Sequence, residues 1–354
     1  VITKDNLSIV ITYEVNNMDS VCVFNNKGGV GKTTFLCNLA SSLSVHHSKK
    51  VLIVDADPQC NATTYALSDD IILDIYEKRN KETIYKLIES YIKGKSTVPK
   101  DIPIINSPGF CIDIIPGDPK LSLADDFLAR DWFDARSGEE RGLRSTLFLN
   151  DTLYECKKKE YDFVIFDAGP SLGAINRSVL LVSDFFIVPM ASDIFSLQAL
   201  TNIRIALEQW KDDIKDGLSR LSKNENEDLN FSQYKPDEKT KFIGYVTQQY
   251  TAKSVEGKRV PVKAYENIIK KIPSKVRTNL TKKFSKKTKG FSAKIGEIPY
   301  LQSMVPLSQT ANKPIFLLKS KDGVVGSHFA KVKEFDKSIF DLSSRFIENI
   351  EVQR

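Results

Sequence analysis

The stretch Lys27-Gly28-Gly29-Val30-Gly31-Lys32-Thr33-Thr34 packs three glycines, two lysines and two threonines into eight residues. Glycines let successive backbone N–H groups turn toward one anion, and a helix starting there adds positive potential. At this spacing Lys32 would neutralise the outer phosphates of a nucleotide, and Thr33 would offer its hydroxyl to Mg²⁺. The common form of such a phosphate-binding loop has glycine where this chain has Asn26, and a second lysine, Lys27, stands just inside the loop. Two acidic turns complete the candidate chemistry. Val51-Leu-Ile-Val-Asp55 runs into Ala56-Asp57-Pro58-Gln59, and Tyr161-Asp-Phe-Val-Ile-Phe-Asp167 into Ala168-Gly169-Pro170-Ser171. An apolar strand ending in Asp167 is the arrangement that sets a carboxylate against Mg²⁺ or its water shell. Gly169-Pro170-Ser171 reads as a switch that senses the γ-phosphate.

Such residues need strand, loop and helix in that order. Ser20–Phe24 supplies an apolar strand before the loop and Phe35–Leu43 a helix-compatible run after it. Further strands at Val51–Asp55, Phe185–Pro189 and Phe242–Gln248 alternate with helical stretches, which predicts βαβ units with ligands at the carboxyl ends of the strands. The fold expected is α/β: a single P-loop NTPase domain with a mostly parallel, doubly wound sheet flanked by helices. Residues 18–354 form that domain, with insertions near 68–150 and 211–240, and residues 1–17 an N-terminal extension of undetermined role. Between residues 68 and 160 the pattern predicts helices at Ile84–Tyr91 and Leu121–Asp131 and a strand at Cys111–Ile115. Asp131–Gly142 reads as a polar surface loop anchored by Trp132 and Phe133, Lys211–Lys241 as a flexible insertion, and His46-His47 as an exposed turn. Phe335, Ile339, Leu342, Phe346 and Ile350 recur at helical spacing, so Phe329–Ile350 reads as a helix packed on the core.

Of 354 residues, 41% are hydrophobic and 27% charged, an ordinary globular balance. No apolar run approaches the ~18 residues of a membrane span, and no secretory pattern opens the chain. Cys22, Cys37, Cys60, Cys111 and Cys156 are scattered without a C-x-x-C pair, which argues against zinc, cluster ligation and disulfides and for a reducing, cytoplasmic setting. The chain ends Glu348-Asn-Ile-Glu-Val-Gln-Arg354, which is not a basic, bulky-apolar membrane tail, so no membrane partner is expected.

KGGVGKTT resembles the deviant P-loop of the ParA/MinD family. DADPQCNAT, VIFDAGPSLG and the late stretch Ile298-Pro299…Val305-Pro306-Leu307…Pro314 follow in the family's order. The resemblance covers residues 18–354 and is nearer to the ParA type. It implies that Lys27 reaches the nucleotide of a second subunit, and that Gly28, Gly29, Val30, Gly31, Lys32, Thr33 and Thr34 cradle ATP and Mg²⁺. It further implies that Asp57 positions the attacking water, that Asp55 supports it and that Asp167 is the Walker B residue. Thr33, Asp57 and Asp167 would then be metal ligands, with Lys27, Lys32, Asp57 and Asp167 as the catalytic set. Gln248, at the end of its strand, and Pro306, in the closing strand and loop, would lie near the base. Two departures stand out: Cys60 where glycine is common, and Ala168-Gly169 where the family often has Thr-Pro.

The stretch from Asn267 to Gly296 carries Lys270, Lys271, Lys275, Arg277, Lys282, Lys283, Lys286, Lys287, Lys289 and Lys294 and no acidic residue. Without these ten the chain's 51 basic and 45 acidic residues would become 41 and 45, so the excess positive charge is local. Lysine-rich and poor in aromatics, the stretch suits phosphate contacts that ignore base sequence. The first eight of the ten are the candidate DNA contacts. The reading is a slow, partner-stimulated ATPase that dimerises around ATP–Mg²⁺, binds non-specific DNA in that state and positions a plasmid, chromosome locus or large cargo. The stimulating partner would be a ParB-like or adaptor protein. The rival is a nucleotide-gated scaffold for a secretion, surface or defence assembly with no role at DNA. Lysines gathered on one face favour the first reading, and dispersed lysines the second.

Overall fold

Four short strands with no exposed position form the middle of the sheet: β1 (Asp19–Val23), β2 (Val51–Asp55), β5 (Phe163–Asp167) and β6 (Phe185–Met190). Burial on both faces is what a parallel sheet covered by helices requires, and it explains their near-continuous apolar sequences. The computed structural model describes residues 18–77, 82–95, 98–99, 101–223, 234–248, 253–255, 258–260, 263–286, 289–299, 301 and 303–354. The extension 1–17 and Lys287 lie outside the described residues.

Between β1 and β5 run α1 (Lys32–His47), α2 (Asn61–Ala66), α3 (Asp69–Glu77), α4 (Tyr85–Ile92), β3 (Ile105–Ser107), β4 (Ile112–Ile115), α5 (Leu121–Ser137), α6 (Glu140–Thr146) and α7 (Phe148–Lys158). Then follow α8 (Ala174–Val182), α9 (Ile194–Lys223), β7 (Lys241–Gln248), β8 (Lys253–Val255), β9 (Lys258–Val260), α10 (Lys263–Val276) and α11 (Lys282–Phe284). β10 (Lys294–Ile298), α12 (Met304–Ala311) and α13 (His328–Gln353) complete the order. The eight-stranded sheet runs β10-β7-β6-β1-β5-β2-β4-β3, parallel except for the β3–β4 pair. The chain leaves β1 toward β2 on one side and reaches β6 on the other, so β1 stands at the point where the winding reverses. Crevices open there, at the carboxyl ends of the strands.

Alternation along each strand builds two cores. Val21, Val23, Ile53, Ile165 and Ile187 face α1 and α13, and Cys22, Leu52, Val54, Phe166 and Val188 face the α4–α9 layer. α13 buries Phe335, Ile339, Leu342, Phe346 and Ile350, and Phe346 meets Phe163 edge to face at 5.7 Å. Burying side chains of this size contributes about 1.5–3 kcal/mol each.

Three expectations are corrected. Asp131–Gly142 is not a loop: α5 continues to Ser137, Trp132 is buried with the Arg177 guanidinium 4.1 Å from its ring, and α6 follows after Gly138. Asp134, Arg136 and Ser137 face solvent while Leu128, Asp131, Trp132 and Ala135 make the buried helical stripe, a 3.6-residue period that the charges obscure. Lys211–Lys223 is not a flexible insertion but the second half of α9, with Ile214 buried; residues 224–233 lie outside the described residues. His46 and His47 belong to the last turn of α1, where His47 Nε2 is 2.9 Å from Ser343 Oγ and His46 pairs with Asp336.

α5 and α9 cross where Gly217 lets the backbones meet: a Cβ there would stand 2.1 Å from the Ala135 carbonyl oxygen. Because the obstacle is backbone, Gly217→Ala should destabilise the protein by about 1–3 kcal/mol. Urea denaturation should show a lower midpoint with an unchanged slope.

Candidate functional site

Asn25 fastens the start of the glycine-rich loop. Its Nδ2 donates to the Pro189 carbonyl of β6 at 2.7 Å, and its Oδ1 accepts the Lys27 N–H at 3.0 Å. Gly29 (φ 72) and Gly31 (φ 68) take left-handed conformations that favour glycine. Gly31 also caps α1 with no side-chain acceptor, and no acidic residue occupies the helix's first turn. The N–H groups of that turn keep their positive potential for an anion.

Strand register brings the carboxylates together. Asp55 of β2 lies directly beside Asp167 of β5, which in turn lies beside Val23 of β1. Lys32 is buried, with Nζ 3.2 Å from Asp167 Oδ1 and 3.9 Å from Asp57 Oδ2. Thr33 donates its hydroxyl to Asp167 Oδ2 at 2.8 Å. Burial holds the Asp167 carboxyl above the usual range even though Lys32 and Thr33 pull it down, and Asp57 adds to the upward push. Asp55 is raised by burial and by Asp167. Its Oδ2 accepts both the N–H (2.8 Å) and the hydroxyl (2.6 Å) of Thr63, fixing the start of α2. Asp55 therefore shapes the turn that carries Asp57 rather than lining the open cavity.

Cys60 (φ 53) sits in that turn in the left-handed region, which is the physical reason a glycine suits the position. Hard oxygen donors from Thr33, Asp57 and Asp167 around one partly compensated negative cluster are the donor set a Mg²⁺ ion takes.

Two cavities meet at the loop and share Gly29, Gly31 and Thr34. One, of about 470 Å³, is polar and is lined by residues that include Lys27, Lys32, Thr33, Asp57, Gln59 and Pro170. The other, of about 240 Å³, is mostly apolar, with Phe35, Ile298, Leu301, Phe335, Ile339 and Leu342 in its wall. Gln248 also lines it, so close to the loop that a Cβ on Gly31 would stand 1.9 Å from Gln248 Nε2. Pro306 is exposed on α12 and lines neither cavity, whereas its neighbours Val305 and Gln309 each line one. The contribution of α13 to the apolar wall was not legible beforehand, because its apolar spacing serves the core and the cavity alike.

Lys27 lines the polar cavity, and its Nζ is bonded to Asp193 Oδ2. Asp193 Oδ1 accepts the N–H groups of Phe195 and Ser196 at the start of α9. Burial alone would raise Asp193, but Lys27 and these N–H groups hold it below the ordinary carboxylate range. An Asp that accepts N–H groups two and three residues later caps the helix start. Beside it Ile194 and Phe195 are 57% and 70% exposed.

The lysine-rich stretch forms α10, a π-helical turn at Arg277–Thr281, and α11. Ile272, Val276, Leu280 and Phe284 are buried, and Lys270, Lys271, Lys275, Arg277, Lys282 and Lys283 are exposed on the other side. Lys283 pairs with Glu208 of α9 at 3.0 Å, and Lys286 donates to the Arg354 carbonyl. Among the described residues no helix is long and apolar enough to cross a membrane.

A family model described as an AAA domain matches residues 18–220. The chain is 28% identical over 195 residues to the chromosome partitioning protein ParA of Caulobacter vibrioides, covering 55% of this chain and 64% of that protein. It is 30% identical over 202 residues to the chromosome partitioning protein ParA of Myxococcus xanthus, covering 56% and 60%. The chain thus covers less than two thirds of the length of these curated relatives. Among solved structures, protein DIP2308 from Corynebacterium diphtheriae is 29% identical with a TM-score of 0.70, covering 83% of this chain and 97% of that one.

The raised carboxyls give a pH signature. Asp55 and Asp167 bind protons in the folded state at pH values where the unfolded chain, with carboxyls near pH 4, has released them. The folded state then holds more protons, so their contribution to stability is lost as pH rises from about 4 toward neutrality. Asp55→Asn removes one such group. Its stability relative to wild type, from urea denaturation without divalent cations, should be higher at pH 7.5 than at pH 5.

Proposed function

We propose an ATP-gated, DNA-binding switch for this chain, which belongs to the AAA domain family and, within it, to the ParA/MinD type. The observation that carries the nucleotide reading is the junction of a polar cradle and an apolar slot at Gly29, Gly31 and Thr34. A molecule with a polyphosphate at one end and a flat ring at the other fits that pair.

Phosphoryl transfer to water asks for charge neutralisation and positioning rather than covalent chemistry. Lys32 and the backbone N–H groups of the loop would hold the outer phosphates. Thr33, Asp57 and Asp167 would hold Mg²⁺ directly or through water. The bound ion would supply charge neutralisation at the phosphate oxygens. Asp57, whose carboxylate faces the same cavity as Lys32, would orient the attacking water. Lys27, bonded at the surface to Asp193 beside the exposed Ile194 and Phe195, supports a cradle finished by a second copy of the chain. The ParA names of the relatives and the outward lysine ridge together support non-specific DNA as the partner of the dimer, with partitioning or positioning of a cargo as the task. The exposed ridge also favours this reading over a protein scaffold with no DNA role.

Lys27→Ala should leave MgADP affinity within about twofold while lowering hydrolysis by roughly 10²-fold, as expected when one charged donor to a transition state is lost. Calorimetric titration and phosphate release separate the two effects. Duplex DNA of arbitrary sequence should bind Asp57→Ala with ATP but not with ADP, weakening steeply with salt. Adding Lys275→Glu and Lys282→Glu should abolish that binding. These two have no ion-pair partner among the described residues, whereas changing Lys283 would also break its pair with Glu208. DNA binding that ignores the nucleotide or survives both charge reversals would contradict the switch.

A further inference from the structure

The loop after Asp167 is tied into a ring by one side chain that no motif picks out. Asn176 lies in the first turn of α8 and is 3% exposed. Its Oδ1 accepts the Gly169 N–H at 3.0 Å. Its Nδ2 donates to the carbonyls of Gly169 (3.0 Å) and Ser171 (2.8 Å) and lies 3.2 Å from Ser171 Oγ. One N–H facing the oxygen and two carbonyls facing the nitrogen fix the orientation of the amide. Pro170 between them has no N–H, so the three-residue loop cannot cross-link itself through that residue and takes its shape from Asn176. From outside, Asp125 of α5 accepts the Ile175 N–H at 2.8 Å and pins the start of α8.

The ring is set against Asp57. A Cβ built on Gly169 would stand 3.4 Å from Asp57 Oδ1 and 3.5 Å from Asn176 Nδ2, ordinary van der Waals distances, so Gly169 lies beside both the Asp57 carboxylate and the Asn176 amide. Pro170 of the same loop lines the polar cavity with Lys32 and Asp57. We propose that Asn176 is the positioning residue of hydrolysis: its amide holds Gly169–Ser171 as a fixed wall against Asp57 at the γ-phosphate end of the cradle. The inference rests on the ATPase reading above. Asn176 lines neither cavity; it acts through the loop and through Asp57. A loop free to move by about 1 Å would misplace the water-orienting carboxylate, an error that can cost on the order of 10²-fold in rate.

Two variants test this in the full chain, with MgADP affinity and ATP turnover measured on the same samples. Asn176→Ala removes all four contacts. Asn176→Asp keeps the shape and the acceptor for the Gly169 N–H but turns an oxygen toward the two carbonyls, so it tests the ring even if the alanine variant folds poorly. Each should keep the MgADP dissociation constant within about twofold and lower turnover by roughly 10- to 100-fold. Ser171→Ala, which removes the hydroxyl's contacts with Asn176 Nδ2 and with the Gly173 N–H but leaves the amide's three backbone contacts, should fall between these variants and wild type. Turnover within twofold of wild type in Asn176→Asp, or turnover and ADP affinity falling together in both Asn176 variants, would overturn the inference and leave Asn176 a structural residue. A wild-type chain that neither binds MgADP nor hydrolyses ATP would overturn the ATPase reading itself, and is recognised without any variant.

Discussion

Three carboxylates and one ammonium share the ends of adjacent strands, and the uncompensated negative charge among them governs the site. Asp55 and Asp167 are side by side because β2 and β5 are parallel and in register, and Asp57 follows two residues on. Among the described residues Lys32 is the one cation buried with them, close to both Asp167 and Asp57. Burial of like charges is costly unless they are paired or neutralised, and the raised carboxyls record that cost. The surroundings are arranged to tolerate it. Thr63 satisfies Asp55, Thr33 satisfies Asp167, and the open side of the cluster faces a cavity suited to a divalent ion and an anionic ligand.

The same packing joins features that are far apart in sequence. α9 begins at the Asp193 cap that holds Lys27, buries Ile203, Leu207 and Ile214 in the helical layer, and meets the basic ridge in its middle. There Arg204 Nε donates to Asn279 of the π-helical turn at 3.3 Å, and Glu208 pairs with Lys283. One rigid helix thus touches both the lysine assigned to a second subunit and the surface assigned to nucleic acid. On the opposite face, α13 packs on α1, the helix whose start cradles the anion, and closes the apolar slot with Phe335, Ile339 and Leu342.

Much of this was legible in the sequence because strand, loop and helix carry different periodicities. KGGVGKTT stands between an apolar strand and a helix as its pattern predicts, and the apolar strands end at Asp55 and Asp167, side by side. The C-terminal stripe from Phe335 to Ile350 predicted the helix that forms. What failed was reading charge as surface loop and flexible insertion: Asp131–Gly142 and Lys211–Lys223 lie in helices whose polar residues outnumber a narrow buried stripe. Side-chain roles that depend on a turn's shape were also invisible. Asp193 and Asn176 are polar residues of common type, and only the folded loop gives Asn176 its four contacts. Pro306, by contrast, was placed near the base by resemblance and lies exposed outside both cavities.

The central claim is that one cradle is completed by two copies of the chain with ATP between them. Sedimentation velocity of Asp57→Ala with Mg²⁺ and either ATP or ADP, repeated with Lys27→Ala added, tests it most directly. The account predicts a monomer with ADP, a dimer with ATP, and loss of that dimer when Lys27 is removed. A chain that stays monomeric with bound ATP, or dimerises equally with ADP and without Lys27, would contradict it.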